Sequence, residues 1–493
     1  MGGRRATGNT PGAAARASGF NGPPAQRRNL ELLLILFAIA ICGFADASVE
    51  LAINDSLPSG FAVTIGGLAL LALVTHLVVR QWAAYADPLI LPISVLLTGL
   101  GLTLIHRLDE ATVKQNPHNV VMAGGQVMWT VIALAVFAGF VVWVKHHRVL
   151  QRYTYLVMAV SLVMLVAPAF FSGDMYGARR WIRLGPLSFQ PGEFTKLAII
   201  VFFASYLMAN RDALALVGRK IAGISLPRGR NMGPVLVIWA VSLVVLVAES
   251  DLGTSMIFFG AFIVMLYIAT ERTGWLVLGC GLALGGAVAA GTFVSHVTYR
   301  VNNWLDPMDY YTHVVNGKPP LGSSPQLAQS LFALASGGFL GTGLGKGHSI
   351  LIGFANRSDW ILATVGEELG TAGLMAVFLL YLLLAQRGMR TAIRLTDPFG
   401  KLLASGLAAT LILQIFVVSG GVVGLIPQTG KALPFLAQGG SSTVANWIMV
   451  ALLIKLSDAA GQAEQTVAPD PAETLTISAE EIAAARAELG QQG

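Results

Sequence analysis

Three polar clusters interrupt long apolar runs in this chain, and each carries side chains able to do chemistry. An ionisable group at mid-membrane depth costs about 2.5–3.5 kcal/mol on insertion scales, so such groups are functional candidates by default. The first cluster is Gly177-Ala178-Arg179-Arg180-Trp181-Ile182-Arg183, followed by Gln190-Pro191-Gly192-Glu193-Phe194-Thr195-Lys196. Glu193 and Lys196 are three residues apart, so they can pair on one helix face, and Pro191 suits that helix's first turn. The cluster reads either as a structural ion pair with interfacial arginines or as a cationic site for a phosphate-bearing substrate, because arginine forks match phosphate oxygens.

The second cluster is Glu249-Ser250-Asp251-Leu252-Gly253-Thr254-Ser255. Asp251 opens an apolar run and can cap a helix there, its charge meeting the positive helix end. The third is Ser358-Asp359-Trp360, followed by Gly366-Glu367-Glu368-Leu369-Gly370. Asp359 precedes Glu367 by slightly more than two helical turns. On a continuous helix those two share a face and Glu368 is turned away. The bland reading makes Asp359 a cap and pairs the glutamates with nearby cations. Three carboxylates in the outer half of a hydrophobic helix are hard to explain by packing, so a general base or metal-bound carboxylate is the expected role.

The elements that position these clusters are membrane spans. The chain has 493 residues, of which 12% are charged; soluble domains carry roughly 25%. Mean hydropathy is +0.67. A span needs roughly 20 mostly apolar residues. Candidates begin near Leu30, Gly60, Leu89, Val120, Leu150, Glu193, Gly233, Asp251, Gly274, Asp359, Lys401 and Pro434, which predicts an all-α polytopic membrane protein with about twelve transmembrane helices. The spans from Gly233 and Asp251 form a tight hairpin at Glu249-Ser250. Lys and Arg concentrate in alternate loops, and several of the others are acidic, so both termini are expected inside. The chemistry-bearing clusters then fall on the outer face. The basic balance is read as inner-face loops, not as a nucleic-acid surface.

Residues 1–29 read as a disordered inner tail and 458–493 as an inner C-terminal tail with one short helix after Ser478. The outer loop 295–358 is long, and its aromatic and apolar content predicts order. Cys42 and Cys280 lie in apolar segments and form no disulfide framework. The glycine-rich stretch Gly337–Gly347 imitates a phosphate loop but lacks the Walker spacing and its Ser or Thr. A re-entrant or hinge segment is the expected form, and its amides could approach a phosphate. His146-His147 reads as part of a basic interfacial loop rather than a metal site.

Taken together and in order, these motifs resemble the SEDS (shape, elongation, division and sporulation) family of RodA- and FtsW-like proteins. The matching residues are Arg180-Trp181, Gln190-Pro191 with Glu193 and Lys196, Asp251 to Ser255, Gln329-Ser330 with Ser336-Gly337-Gly338, Ser358-Asp359 with Glu367 to Gly370, and Leu433-Pro434-Phe435 with Gly439 to Ser442. The compact Ser358–Gly370 block and short tails are nearer the RodA-like members. Departures are Gly192 for a Ser, Glu249-Ser250 for Gln-Pro, Ser358 for Thr, Trp360 for Phe and Gln438 for Tyr; they bear on substrate geometry rather than on the reaction.

The resemblance implies a ten-helix core, here 89–457, preceded by two additional helices in 30–88. It implies a peptidoglycan glycosyltransferase in the inner (plasma) membrane that polymerises lipid II at the outer leaflet beside a class B penicillin-binding transpeptidase. It maps the catalytic residue onto Asp359. Arg180 and Lys196 are the expected cations for the pyrophosphate, and Trp181, Gln190, Glu193, Asp251, Gln329, Ser330, Glu367 and Ser441 complete the expected substrate site. A divalent cation could share the phosphate's charge, but no ligand set for one is visible. The alternative is a lipid II flippase, which should show polar features on both faces and, in many cases, inverted repeats; neither is apparent. A scaffold for cell-wall enzymes is a third reading.

Overall fold

The computed structural model describes residues 24–467 apart from 59, 117, 119–120, 169–180, 185–186, 216, 222–223, 228–232, 234–235, 239, 242–243, 245–250, 315–318, 321–322 and 354. Ten helices among the described residues are long and apolar enough to cross a membrane. They are α1 (Pro24–Asn54), α2 (Phe61–Trp82), α3 (Ile90–Gln115), α4 (Ala123–Trp143), α6 (Pro191–Ala215), α7 (Leu252–Thr270), α8 (Thr273–Phe293), α11 (Ile361–Arg394), α12 (Pro398–Val422) and α13 (Gly440–Val467). The shorter helix α5 (Thr154–Val166) stands where a fifth span was expected. The expected span from Gly233 and its hairpin at Glu249-Ser250 lie largely outside the described residues, as does the C-terminal helix expected after Ser478. Among the described residues, ten of the roughly twelve expected spans are present at full length.

Two antiparallel hairpins depart from a purely helical reading: β1 (Ile182–Leu184) with β2 (Leu187–Phe189), and β3 (Val217–Ile221) with β4 (Ile224–Pro227). The loop 295–358, expected to be the outer loop, carries α9 (Ser295–Leu305) and α10 (Gln326–Gly337) among its described residues. Helix α1 begins six residues before the expected Leu30 because its basic start is buried and satisfied. Arg27 donates to the Tyr85 carbonyl at 3.1 Å, and Arg28 to the Ala86 carbonyl and Glu31.

Helices α13 and α3 are the most enclosed spans, with 89% and 78% of their apolar windows buried against 22% for α2, so α2 is mainly a lipid-facing helix. Two glycines let neighbours approach α3. A methyl group on Gly99 would sit 2.4 Å from the Cys42 sulfur of α1, and one on Gly101 would sit 2.6 Å from the Leu436 carbonyl oxygen. Elsewhere α13 lies along α4, α11 along α12, and α7 against α6 and α12.

Two irregular stretches penetrate the bundle. Helix α11 is broken at Gly370, whose φ of 67° suits glycine. The glycine-rich loop fills the break: Thr342 and Gly343 donate to the Glu367 and Glu368 carbonyls at 2.9 and 3.0 Å, and Thr371 and Ala372 donate to the Gly338 and Phe339 carbonyls at 2.9 and 3.0 Å. The second stretch, 423–439, turns back from the end of α12 and buries Leu433, Phe435, Leu436 and Ala437. Replacing Gly101 with Val is expected to drive a branched side chain into this segment. Overpacking of this kind costs about 1–3 kcal/mol, so the unfolding midpoint in detergent should fall. Gly66→Ala is the control, since no atom lies within 4 Å of the added carbon; an equal fall for both variants would refute the packing argument.

Candidate functional site

A cavity of about 940 Å³ opens at one end of the bundle. The starts of α4, α6 and α13 meet there with the turn before α11 and the 423–439 segment. Arg80, Arg148, Arg387, Arg394 and Lys455 belong to the opposite helix ends.

Asp359 lines the cavity and is half-buried. It does not lie on the helix that carries Glu367. Helix α11 starts at Ile361, and Asp359 stands in the turn before it, with Ser358 and Trp360 both donating to the Ala355 carbonyl at 3.2 Å. Its neighbour Arg357 pins that turn, donating to Asp109 at 2.6 Å and to the Thr112 hydroxyl at 2.9 Å. The second oxygen of Asp109 accepts the amides of Met122 and Ala123, at 2.7 and 2.6 Å, at the start of α4. Asp109 thus fixes α3, α4 and the Asp359 turn together. Beside it on the cavity wall, the Gln428 side-chain amide donates to Asp359 at 3.3 Å.

Trp181, Gln190 and Glu193 also line the cavity. The β1–β2 hairpin brings Trp181 and Gln190 side by side, and Ser441 accepts the Gln190 amide at 2.8 Å. Arg180 lies outside the described residues. Glu193 sits in the first turn of α6 and pairs with Lys196 at 3.1 Å, as the spacing predicted. It also pairs with Lys431 at 3.0 Å, and Lys431 reaches Asp251 at 3.3 Å. All four side chains are no more than 5% exposed. The two lysines and two carboxylates interleave, so no like-signed neighbours go uncompensated in a low-dielectric setting.

Lys196 does not line the cavity; its ammonium is held by Glu193 and by the Gln414 side chain at 2.7 Å. Its predicted place beside a phosphate gives way to a buried counter-charge for Glu193. Asp251 caps α7 as expected, accepting the Thr254 amide at 2.9 Å and hydroxyl at 2.7 Å. It too lies beneath the cavity surface.

Three expected substrate residues are used elsewhere. Gln329 donates to the Tyr311 hydroxyl at 2.6 Å on the outer loop. Ser330 is buried and donates to the Val422 carbonyl at 2.9 Å, at the end of α12. Glu367 is buried under the glycine-rich loop, accepting the His348 amide at 2.7 Å and the Ser336 hydroxyl at 3.3 Å. Glu368 accepts the Gly345 amide at 2.9 Å and pairs with Arg107, which also donates to the Gly347 carbonyl. The loop's amides do receive anions, but these are the chain's own carboxylates.

Sequence reasoning missed Lys431, Gln428, Gln414 and Arg107. A signal for Lys431 was present: it is the single charged residue between Lys401 and Lys455. Asp306, Asp309 and His313 bring ligand atoms within 4.8 Å of one another on the outer loop. None of them lines the cavity.

The fold and this site define a polytopic membrane protein that encloses a charged, one-ended cavity behind a broken helix. The chain belongs to the FtsW/RodA/SpoVE family of cell cycle proteins, whose model matches residues 88–462. It is 42% identical over 443 residues to the peptidoglycan glycosyltransferase RodA of Mycobacterium tuberculosis H37Rv, covering 89% of this chain and 92% of that one. It is 32% identical over 379 residues to a probable peptidoglycan glycosyltransferase FtsW of Geobacter sp. M18, covering 75% and 96%. Its fold is similar to a chain of a peptidoglycan synthase complex that coordinates polymerization and crosslinking, with TM-score 0.57, 23% identity and coverage of 76% and 97%. It is also similar to the rod shape determining protein RodA of Thermus thermophilus, with TM-score 0.51, 22% identity and coverage of 76% and 96%.

Breaking the buried Arg107–Glu368 pair from one side leaves a charge uncompensated, which costs about 3–5 kcal/mol. Arg107→Leu is therefore expected to lower the unfolding midpoint sharply, and Arg107→Leu with Glu368→Gln to recover part of the loss. Parent-like melting of the single variant would show that the pair does not hold the loop.

Proposed function

We propose that this protein is a peptidoglycan glycosyltransferase that polymerises lipid II at the outer leaflet, with Asp359 as general base. The observation that carries this reading is the position of Asp359: a half-buried carboxylate on the same cavity wall as Gln428, facing a floor that holds Glu193 and Lys431. Relatives named peptidoglycan glycosyltransferase RodA, 42% identical over most of the chain, support the same activity.

The chemistry balances on these groups. An acceptor sugar hydroxyl attacks the anomeric carbon of a second lipid-linked sugar. A new C–O bond forms there while the bond to the lipid diphosphate breaks. The hydroxyl proton passes to the Asp359 carboxylate, and the diphosphate leaves with the electron pair. General-base assistance of this kind contributes typically about 10²–10⁴-fold, and cations aimed at the departing phosphates stabilise the charge that develops there. Gln428 orients the base. Glu193 with Lys196 keeps the floor charged and rigid, Trp181 and Gln190 form a wall for the sugars, and Arg180 belongs to the same outer cluster.

The basic residues at the opposite helix ends support an outward-facing cavity with both termini inside. A class B penicillin-binding transpeptidase is the proposed partner, supported by the likeness to a chain from a complex that couples polymerization to crosslinking.

Purified protein with its transpeptidase should build glycan strands from lipid II, and Asp359→Ala should reduce the rate by about 10²–10⁴-fold without changing the unfolding midpoint. Strand synthesis by that variant at the parent rate would remove Asp359 from the role. Lipid II translocation in liposomes without polymer would favour a transporter instead.

A further inference from the structure

Lys431 is unexplained by anything above except its ion pairs. It is the single charged residue between Lys401 and Lys455, and an ionisable group buried among apolar spans is a functional candidate by default. Structural pairing of Glu193 is already provided by Lys196 at 3.1 Å, and Asp251 is already satisfied by Thr254 and by the start of α7. Lys431 balances the second carboxylate of this floor, and its position gives it a further use.

Three further observations give it a direction. Lys431 lines the cavity and Lys196 does not, so of the two lysines it is the one a substrate meets. The charged side chains among the described lining residues are Glu193, Asp359, Arg300 and Lys431; without Lys431 an incoming anion faces two carboxylates and one cation. The chain also makes room for its stem. A methyl group on Gly253 would sit 2.2 Å from Lys431 Cγ and 3.2 Å from its Cδ, so the glycine in Asp251-Leu252-Gly253 lets the lysine run across the first turn of α7.

The same segment serves both halves of the site. Gln428 reaches Asp359 with its amide at 3.3 Å, and its carbonyl accepts Arg300 at 3.0 Å. Three residues later, Lys431 reaches the Glu193 floor. One short stretch of backbone thus carries both the partner of the base and the cavity-lining lysine.

We infer that Lys431 binds the diphosphate of the lipid-linked substrate, a reading that rests on the proposed glycosyltransferase activity. Its contact with Asp251, at 3.3 Å, is the longer of its two carboxylate contacts. When the diphosphate enters, the ammonium shifts from Asp251 towards the phosphate oxygens. Asp251 keeps its Thr254 bonds and the positive helix start, which lower the cost of the shift. As the C–O bond breaks, the same ammonium faces the charge growing on the leaving oxygen.

The test uses the full chain with its transpeptidase, and two probes that carry no sugar: a polyprenyl diphosphate and a polyprenyl monophosphate. Lys431→Met should weaken diphosphate binding by about ten- to a hundredfold, the worth of a hydrogen bond to a charged group, with a smaller effect on the monophosphate and a matching fall in lipid II polymerisation. Gly253→Ala, which keeps the charge but displaces the stem, should weaken the diphosphate in the same sense. If Lys431→Met does not fold, Asp251→Asn with Lys431→Met removes opposite charges together and carries the same expectation. Parent-like diphosphate binding by the folded variant, or equal weakening of both probes, overturns the inference while leaving the glycosyltransferase reading intact. Failure of the parent protein to polymerise lipid II overturns that reading instead.

Discussion

Hydrocarbon offers no hydrogen bonds, so any backbone that leaves helical form within a bundle must be satisfied by the protein itself. The site described above is a consequence of meeting that demand twice. The segment 423–439 has its carbonyls taken up one by one: Gly424 by Trp304 at 2.7 Å, Gln428 by Arg300, Ala432 by Gln414 at 3.0 Å and Pro434 by Tyr381. Its Gln438 amide donates to the Arg357 carbonyl at 2.8 Å, and its Gly439 amide to Gln126 at 3.0 Å. Each satisfied group is also a tether to a different helix. A wall that would be a floppy loop in water is here over-determined, and it holds Gln428 and Lys431 against Asp359 and Glu193.

The same economy governs charge. Gln414 accepts Lys196 with its oxygen and donates to the Ala432 carbonyl with its nitrogen. One side chain therefore links the ionic floor to the irregular wall. Because the floor alternates in sign, removing any member leaves its neighbour unpaired in a dry setting, and the penalty falls on the fold as well as on the chemistry. Stability and reactivity share residues, which makes conservative substitutions the informative ones.

Local spacing made part of this legible. Glu193 and Lys196 were readable as a pair because helix geometry alone joins them, and Asp251 as a cap because the cap and its partner Thr254 are three residues apart. Spacing alone could not supply the contacts between distant segments. Asp359 and Glu367 were matched on an assumed continuous helix; the helix begins after Asp359 and breaks after Glu368, so periodicity could not relate them. The glycine-rich loop was correctly separated from nucleotide loops, but its true anions lie some 20 residues later in the chain. Lys431 contacts residues 180 and 238 positions away; no pattern in the sequence announces such a meeting, although the isolation of its charge was a clue. Hydropathy likewise marks an apolar run near Leu150 without showing that its helix, α5, is short.

The two helices ahead of the family-matching region are drawn into this arrangement. Glu50 of α1 meets His106 of α3 at 2.7 Å, Lys114 donates to the Ile53 carbonyl, and a methyl on Gly345 would sit 2.9 Å from the Ala52 side chain. The end of α1 is thus a buttress behind the loop that Glu367 and Glu368 clamp. For anyone shortening this protein, residue 88 is a boundary of sequence similarity but not of mechanical independence. A chain cut there would lose the brace behind the loop that fills the break in α11 while keeping every motif intact.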